Sequence, residues 1–320
     1  MTLTLDRPPP RRRTDPTTKL RTTMAAVRVS FLWLGCRKTL TAEQKAEAAD
    51  AFDASGRFLT AGKKLLDTKH PAFRAVTNVR GRMISLWRGM TLPFPEPGIR
   101  LIRQDQIDAF HAEMTERRSE LDAAVAVLDE RYEELKNAAR ERLGRLFNPG
   151  DYPASLRGLF AVEWDFPSVE PPSYLAELNP TLYEEECRRV AARFDEALAL
   201  AEEAFSTELA GLVAHLTDRL SGTADGKPKV FRDTVVTNLI EFFARFRRLN
   251  VRSNDQLDDL VAQAQQIVQG LEPQSLRENR ILRETVAAEL GDLRGTLDQL
   301  LVDRPRRNIL RRPQPVPEVA

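Results

Sequence analysis

Two long apolar stripes with helical spacing constrain this chain more than any other feature of its sequence. Ile107, Phe110, Met114, Arg118, Leu121, Val125, Leu128, Tyr132, Leu135, Ala139, Leu143 and Leu146 fall on one line, covering 39 residues in 11 steps. The mean step of about 3.55 residues lies between the coiled-coil and straight-helix periods. Only Arg118 breaks the apolar character. A helix over 104–147 would extend about 65 Å and cannot be stable without burying its stripe. Tyr183, Cys187, Val190, Phe194, Leu198, Ala201, Phe205, Leu209, Leu212, Leu216 and Leu220 form a second stripe of nearly equal length. Two consecutive helices of matched length most simply pack as an antiparallel pair. The expected fold is therefore mainly α: a long, coiled-coil-like antiparallel helical hairpin packed with shorter helices.

Shorter signals complete the organisation. Val27–Leu34 begins in alternation and is rich in β-formers, so it reads as a short strand, and Ile99–Arg103 as a second that pairs with it. Thr41-Ala-Glu-Gln44 is a capping box that opens a helix to about Ala54. Lys63–Asp67 reads as a helical turn, and Pro71 suits the first position of a helix reaching about Met90. Thr91–Gly98 carries three prolines in alternation and reads as a stiff extended connector. The segment 148–179 is too long for a tight turn and too apolar for a bare loop, so it is expected to form an ordered tip. Downstream, helices are expected over about 233–249, from a second capping box, Ser253-Asn-Asp-Gln256, to Val268, and from Pro273 to about Leu301. The expected divisions are a basic tail over 1–23, a mixed α/β region over 24–103, the hairpin over 104–220, a helical region over 221–302 and a basic tail over 303–320.

Composition narrows the function classes. In a chain of 320 residues, 42% hydrophobic and 30% charged residues suit a folded protein with much charged surface. Net charge is +1, but it is unevenly spread: residues 1–21 hold six Lys/Arg against two acids, and 303–320 five Arg against two. The body between is thus mildly acidic and both ends are basic. Two cysteines cannot form a disulfide framework and point to a reducing cytoplasm. No apolar stretch approaches the ~20 residues of a membrane span, and the start lacks a signal-peptide core.

Chemistry-bearing constellations are sparse. His70, His111 and His215 are scattered, and neither CxxC nor HxxxH occurs, so metal binding has no motif behind it. Cys187 sits on an apolar stripe; Cys36, after a glycine at a strand end, is the one thiol with a chance of acting as a nucleophile, a distant third reading. No phosphate loop, dinucleotide fingerprint or nucleophile elbow is present. The expectation is a non-enzymatic scaffold or adaptor with no cofactor, no metal, no membrane and no small-molecule substrate, binding a protein partner or a second copy of itself. Candidate partner-binding residues are the large rings beside stiff prolines: Trp87, Phe94, Trp164, Phe166 and Tyr174. The alternative is a nucleic-acid-associated protein contacting phosphates through its tails, with Arg11, Arg12, Arg13, Arg306, Arg307, Arg311 and Arg312 as the candidates.

Three stretches carry a family resemblance: Lys63-Lys-Leu-Leu-Asp67, Trp87 through Arg100, and Lys229-Val-Phe-Arg-Asp233 with the later Arg248-Leu-Asn-Val251. Over about residues 25–302 the chain resembles an uncharacterised family of bacterial and phage proteins catalogued as a domain of unknown function. The resemblance carries over no catalytic residue. It implies a protein partner, since members are encoded near AAA-type ATPases.

Overall fold

Hydrophobic period and proline placement set most element boundaries in the computed structural model, which describes residues 15–221 and 233–302. In chain order the elements are α1 (Pro16–Thr23), β1 (Met24–Trp33), β2 (Arg37–Thr39), α2 (Ala42–Asp50), β3 (Gly62–Lys64), α3 (Pro71–Met90), β4 (Thr91–Pro93) and β5 (Ile99–Arg103). There follow α4 (Ile107–Glu130), α5 (Tyr132–Leu143), β6 (Phe160–Asp165), α6 (Tyr174–Leu178), α7 (Pro180–Leu220), α8 (Thr234–Leu249), α9 (Asp255–Val268), α10 (Pro273–Glu278) and α11 (Arg280–Val302). The chain is mainly α with a small antiparallel sheet. It divides into two compact units, Arg21–Val190 and the residues on either side of that span.

The Arg21–Val190 unit is built on a four-stranded antiparallel sheet in the order β4-β5-β1-β6. The expected pairing of the first two strands is present, with Ala26 opposite Leu101. The connector after α3 does more than link: Thr91–Pro93 adds β4 at the sheet edge, the one place where Pro93 removes no ladder donor. The expected tip of the hairpin supplies the other edge, because Phe160–Asp165 pairs with β1. The sheet therefore joins the 24–103 region to 148–179. Val27, Val29, Phe160 and Val162 of the sheet are buried in one core with Phe73, Val76, Val79 and Met83 of α3 and with Phe110, Met114, Leu121, Val125 and Leu128 of α4.

The first stripe is thus buried as its spacing predicts, on α3 and the sheet. The single helix expected over 104–147 is divided at Arg131, whose N–H bonds back to Leu128 O at 3.2 Å in a tighter turn. Just before that break Asp129 turns its carboxylate to Leu156 N at 2.7 Å and Ser155 Oγ at 3.0 Å. Tyr132, the first residue after it, points its hydroxyl into the core, and burial pushes that hydroxyl up to about 12. Gly144, at φ 50°, closes α5 in a conformation few other residues adopt.

In the other unit α7 from Ala191 onward buries Phe194, Ala197, Ala201, Phe205, Leu209, Val213, Leu216 and Leu220. Its line runs through Ala197 and Val213, each one residue from the expected Leu198 and Leu212. Phe205 packs edge-on to Phe242 and Phe246 of α8. The expected long antiparallel hairpin is not confirmed; the first stripe is covered by α3 and the sheet, and the second divides between the two units after Val190. Asn254, one residue after the expected Ser253, caps α9 by accepting from Leu257 N at 3.0 Å.

The expected helical turn at Lys63–Asp67 is corrected: Gly62–Lys64 is a strand paired with Arg37–Thr39. A Cβ on Gly62 would come within 3.1 Å of Lys38 O, a tight contact that glycine relieves. The expected capping box is present, with Thr41 Oγ1 accepting from Gln44 N at 3.2 Å and Gln44 Oε1 accepting from Thr41 N at 3.1 Å. Thr41→Ala should lower stability by about 1 kcal/mol, read as a shift of the urea midpoint.

Candidate functional site

Single apolar side chains are commonly left in water, whereas several left together mark a surface to examine for binding. Ten large hydrophobic residues are exposed among the described ones, and four of them fall within 166–182: Phe166 (40%), Tyr174 (60%), Leu178 (76%) and Leu182 (38%). That clustering, not the total, singles out this segment. Tyr174 and Leu178 are four residues apart within α6, the spacing that sets side chains on one side of a helix, and Leu182 follows in the first turn of α7.

Local sequence explains how the segment is presented. Pro167, Pro171 and Pro172 forbid helix after β6, so the chain runs extended before the single turn of α6. Asn179 closes α6, its N–H bonded to Leu175 O at 2.9 Å, and its Oδ1 then caps α7 by accepting from Leu182 N at 3.1 Å. Arg21 holds the extended part with a two-pronged ion pair to Glu170, one arm at 2.7 Å. The pair keeps the Arg21 guanidinium above its ordinary value. Tyr183 is hydrogen-bonded to Cys187, which raises the phenol above its ordinary range. Glu177, Glu184 and Glu185, within three residues of Leu178 or Leu182, are exposed and have no ionic partner among the described residues.

The residues expected from sequence to bind partners divide sharply. Phe166 and Tyr174 lie in the exposed segment. Phe94 does not: it is buried, 7% exposed, and this corrects its reading as a surface anchor. Trp87 is half-buried against the core with Arg100 over its ring at 5.9 Å. Trp164 is half-buried too; its indole N–H donates to His111 Nδ1 at 3.1 Å and Arg118 lies over its ring at 5.1 Å. That contact accounts for the one charged residue in the first stripe. Leu178 and Leu182 were not singled out by sequence, although their spacing from Tyr174 was available there. Arg11, Arg12, Arg13, Arg306, Arg307, Arg311 and Arg312 lie outside the described residues.

Other candidate chemistry resolves into structure. His70 Nδ1 accepts from Ala72 N at 3.3 Å and caps α3. Burial pushes the Cys36 thiol up, the direction opposite to activation of a nucleophile. Among the described residues no group of three or more His, Cys, Asp or Glu is placed to hold a metal, and no helix is long and apolar enough to cross a membrane.

A second polar cluster is buried beneath the β2–β3 ribbon. Lys38 and Lys63 face each other across it, and both reach Asp151, at 2.5 and 2.7 Å. The Lys63 and Asp151 side chains are only 5% and 2% exposed. Lys63 Nζ also donates to Leu146 O at 2.6 Å, and Tyr152 Oη to Leu65 O at 3.0 Å. These bonds anchor the inner face of the ribbon to the end of α5 and the loop after it. Compared with known protein families, with curated proteins and with solved structures, the chain matches none.

Proposed function

We propose that this chain is a non-enzymatic helical adaptor that docks another protein on the apolar face formed by Phe166, Tyr174, Leu178 and Leu182. One observation carries the reading: four large apolar side chains stay in water on one short segment whose backbone is fixed by caps, prolines and an ion pair. Covering a leucine fully is worth about 1.5–3 kcal/mol, so a partner that fills this face gains several such terms. Fixing the segment in advance lowers the ordering cost of binding.

The rim argues for the partner's chemistry. Glu177, Glu184 and Glu185 are exposed beside these residues in sequence, which favours an apolar surface edged by lysine or arginine. A second copy in a two-fold contact would set the same acids against one another, so a different protein fits better. Affinity capture from the native cell with the full chain and a Leu178→Asp/Leu182→Asp variant tests this. The expected result is a protein retained by the wild type, lost from the variant and weakened by added salt. The same proteins on both chains, or a wild-type dimer in light scattering that the variant abolishes, would contradict it.

A further inference from the structure

A like-charged pair set directly opposite in a two-stranded ribbon weakens that ribbon, so its presence needs a reason. In the β2–β3 ribbon Arg37 stands opposite Lys64, and Lys38 opposite Lys63. The second pair has its reason in Asp151. Residues directly opposite share a face and successive residues alternate, so Arg37 and Lys64 occupy the other, outer face. Both are exposed, and neither has a carboxylate partner among the described residues. The cleft beside Lys64 adds Lys69, likewise exposed and without a carboxylate partner among the described residues; the carboxylate in that cleft, Asp67, is paired with Arg142 at 3.1 Å.

The segment between the two strands carries a second feature that points the same way. Leu40 N bonds to Ala61 O at 3.1 Å and closes the base of a protrusion. Beyond that closure Phe52 and Phe58 are 81% and 92% exposed, the two most exposed large hydrophobic residues among the described ones. Two exposed rings in this segment and exposed cations on the strands at its base differ from the segment assigned above, whose neighbouring exposed side chains include Glu177, Glu184 and Glu185. The carboxylates of this segment, Glu43, Glu47, Asp50 and Asp53, lie outside the two strands, and Glu47 is paired with Arg145 at 2.6 Å.

We infer that the β2–β3 protrusion binds single-stranded nucleic acid, with Arg37, Lys64 and Lys69 on its phosphates and Phe52 and Phe58 stacked on its bases. Cations tracking a backbone and aromatic side chains receiving bases are the two parts of sequence-tolerant single-strand binding. An acidic peptide would use the cations and leave both rings in water. A duplex would offer phosphates while keeping its bases stacked within itself. The site is separate from the terminal arginines and does not rest on the docking face.

Fluorescence anisotropy of the full chain with a labelled oligothymidylate of about 20 nucleotides, at about 50 and 200 mM salt, tests the assignment. The wild type should bind and weaken steeply with salt. Arg37→Ser/Lys64→Ser should weaken binding about tenfold and reduce the log–log salt slope by about 1.4, because two cations no longer neutralise phosphates. Phe52→Ala/Phe58→Ala should weaken binding about thirtyfold or more with the slope unchanged. All substituted side chains are exposed, so thermal melts should match the wild type. Absence of wild-type binding, equal affinity of wild type and either double variant, or a duplex bound as tightly as the single strand would overturn the inference.

Discussion

Phe242→Ala should lower the stability of the chain by about 4 kcal/mol, a large part of the ~5–15 kcal/mol that holds a typical domain together. Phe242 is 1% exposed at the centre of a group of rings. It stacks on Phe246 with centroids 6.0 Å apart, and meets Phe205 of α7 at 6.2 Å and Phe243 at 5.8 Å in edge-on contacts. Removing the ring loses its transfer free energy and leaves a cavity whose walls belong to two helices. The ring-to-ring contacts add about 0.5–1.5 kcal/mol each beyond area. Ile240 provides the control, since it sits on the same helix and is 56% exposed. Ile240→Ala should change stability by no more than about 0.5 kcal/mol. Urea unfolding of both variants, followed by circular dichroism, measures the contrast; similar midpoints would show that α8 does not bury its aromatic face.

Asp151→Ala should cost about 3 kcal/mol by a different route, because it leaves the Lys63 ammonium in a dry site without its counter-charge. Lys63 is 5% exposed on its side chain and would keep the Leu146 carbonyl as its acceptor. Lys63→Met/Asp151→Leu should recover most of the loss, since it is the uncompensated charge that destabilises. The pair also sets a pH dependence. The hydrogen bond from Lys38, then that from Lys63, holds the Asp151 carboxyl below its ordinary 3.8. An unfolded chain therefore takes up this proton first as pH falls. The stabilisation is fully present above 3.8 and is lost as pH drops through the lower native value. The gap between wild type and Asp151→Ala should accordingly narrow below about pH 3.8. A gap that stayed constant in acid would remove the carboxylate from the explanation.

What the sequence made legible follows from whether a feature is local. The stripes were readable because helical periodicity repeats many times within one segment, and Pro71 and Thr41 act on their own neighbours; Gly144, where α5 ends, was passed over because the helix was expected to continue to 147. Strand β1 announced itself by alternation. Strand β6, Phe160-Ala-Val-Glu-Trp-Asp165, was hidden among prolines and exists through its pairing with β1, more than a hundred residues earlier. The same holds for β3, where Lys63 reads as helix until Lys38 is set opposite it. What covers a stripe is likewise a tertiary fact: matched lengths suggested a pairing, whereas the first stripe is covered by α3 and the sheet. The proposed docking face was half visible. Aromatic residues beside prolines drew attention to Phe166 and Tyr174, but the same rule selected Phe94, which the core takes up. Leu178 and Leu182 looked ordinary because exposure depends on what fails to pack against them.

The docking face is tested most directly by placing a photo-crosslinking amino acid at position 178 of the full chain in the native cell. An equivalent substitution at the exposed, charged Glu141 serves as the control. The account predicts a discrete covalent adduct with another protein from position 178, absent from position 141 and lost when Leu182 is changed to aspartate. Position 178 yielding no adduct, or the same adducts as position 141, would contradict the claim that this face is covered by a partner.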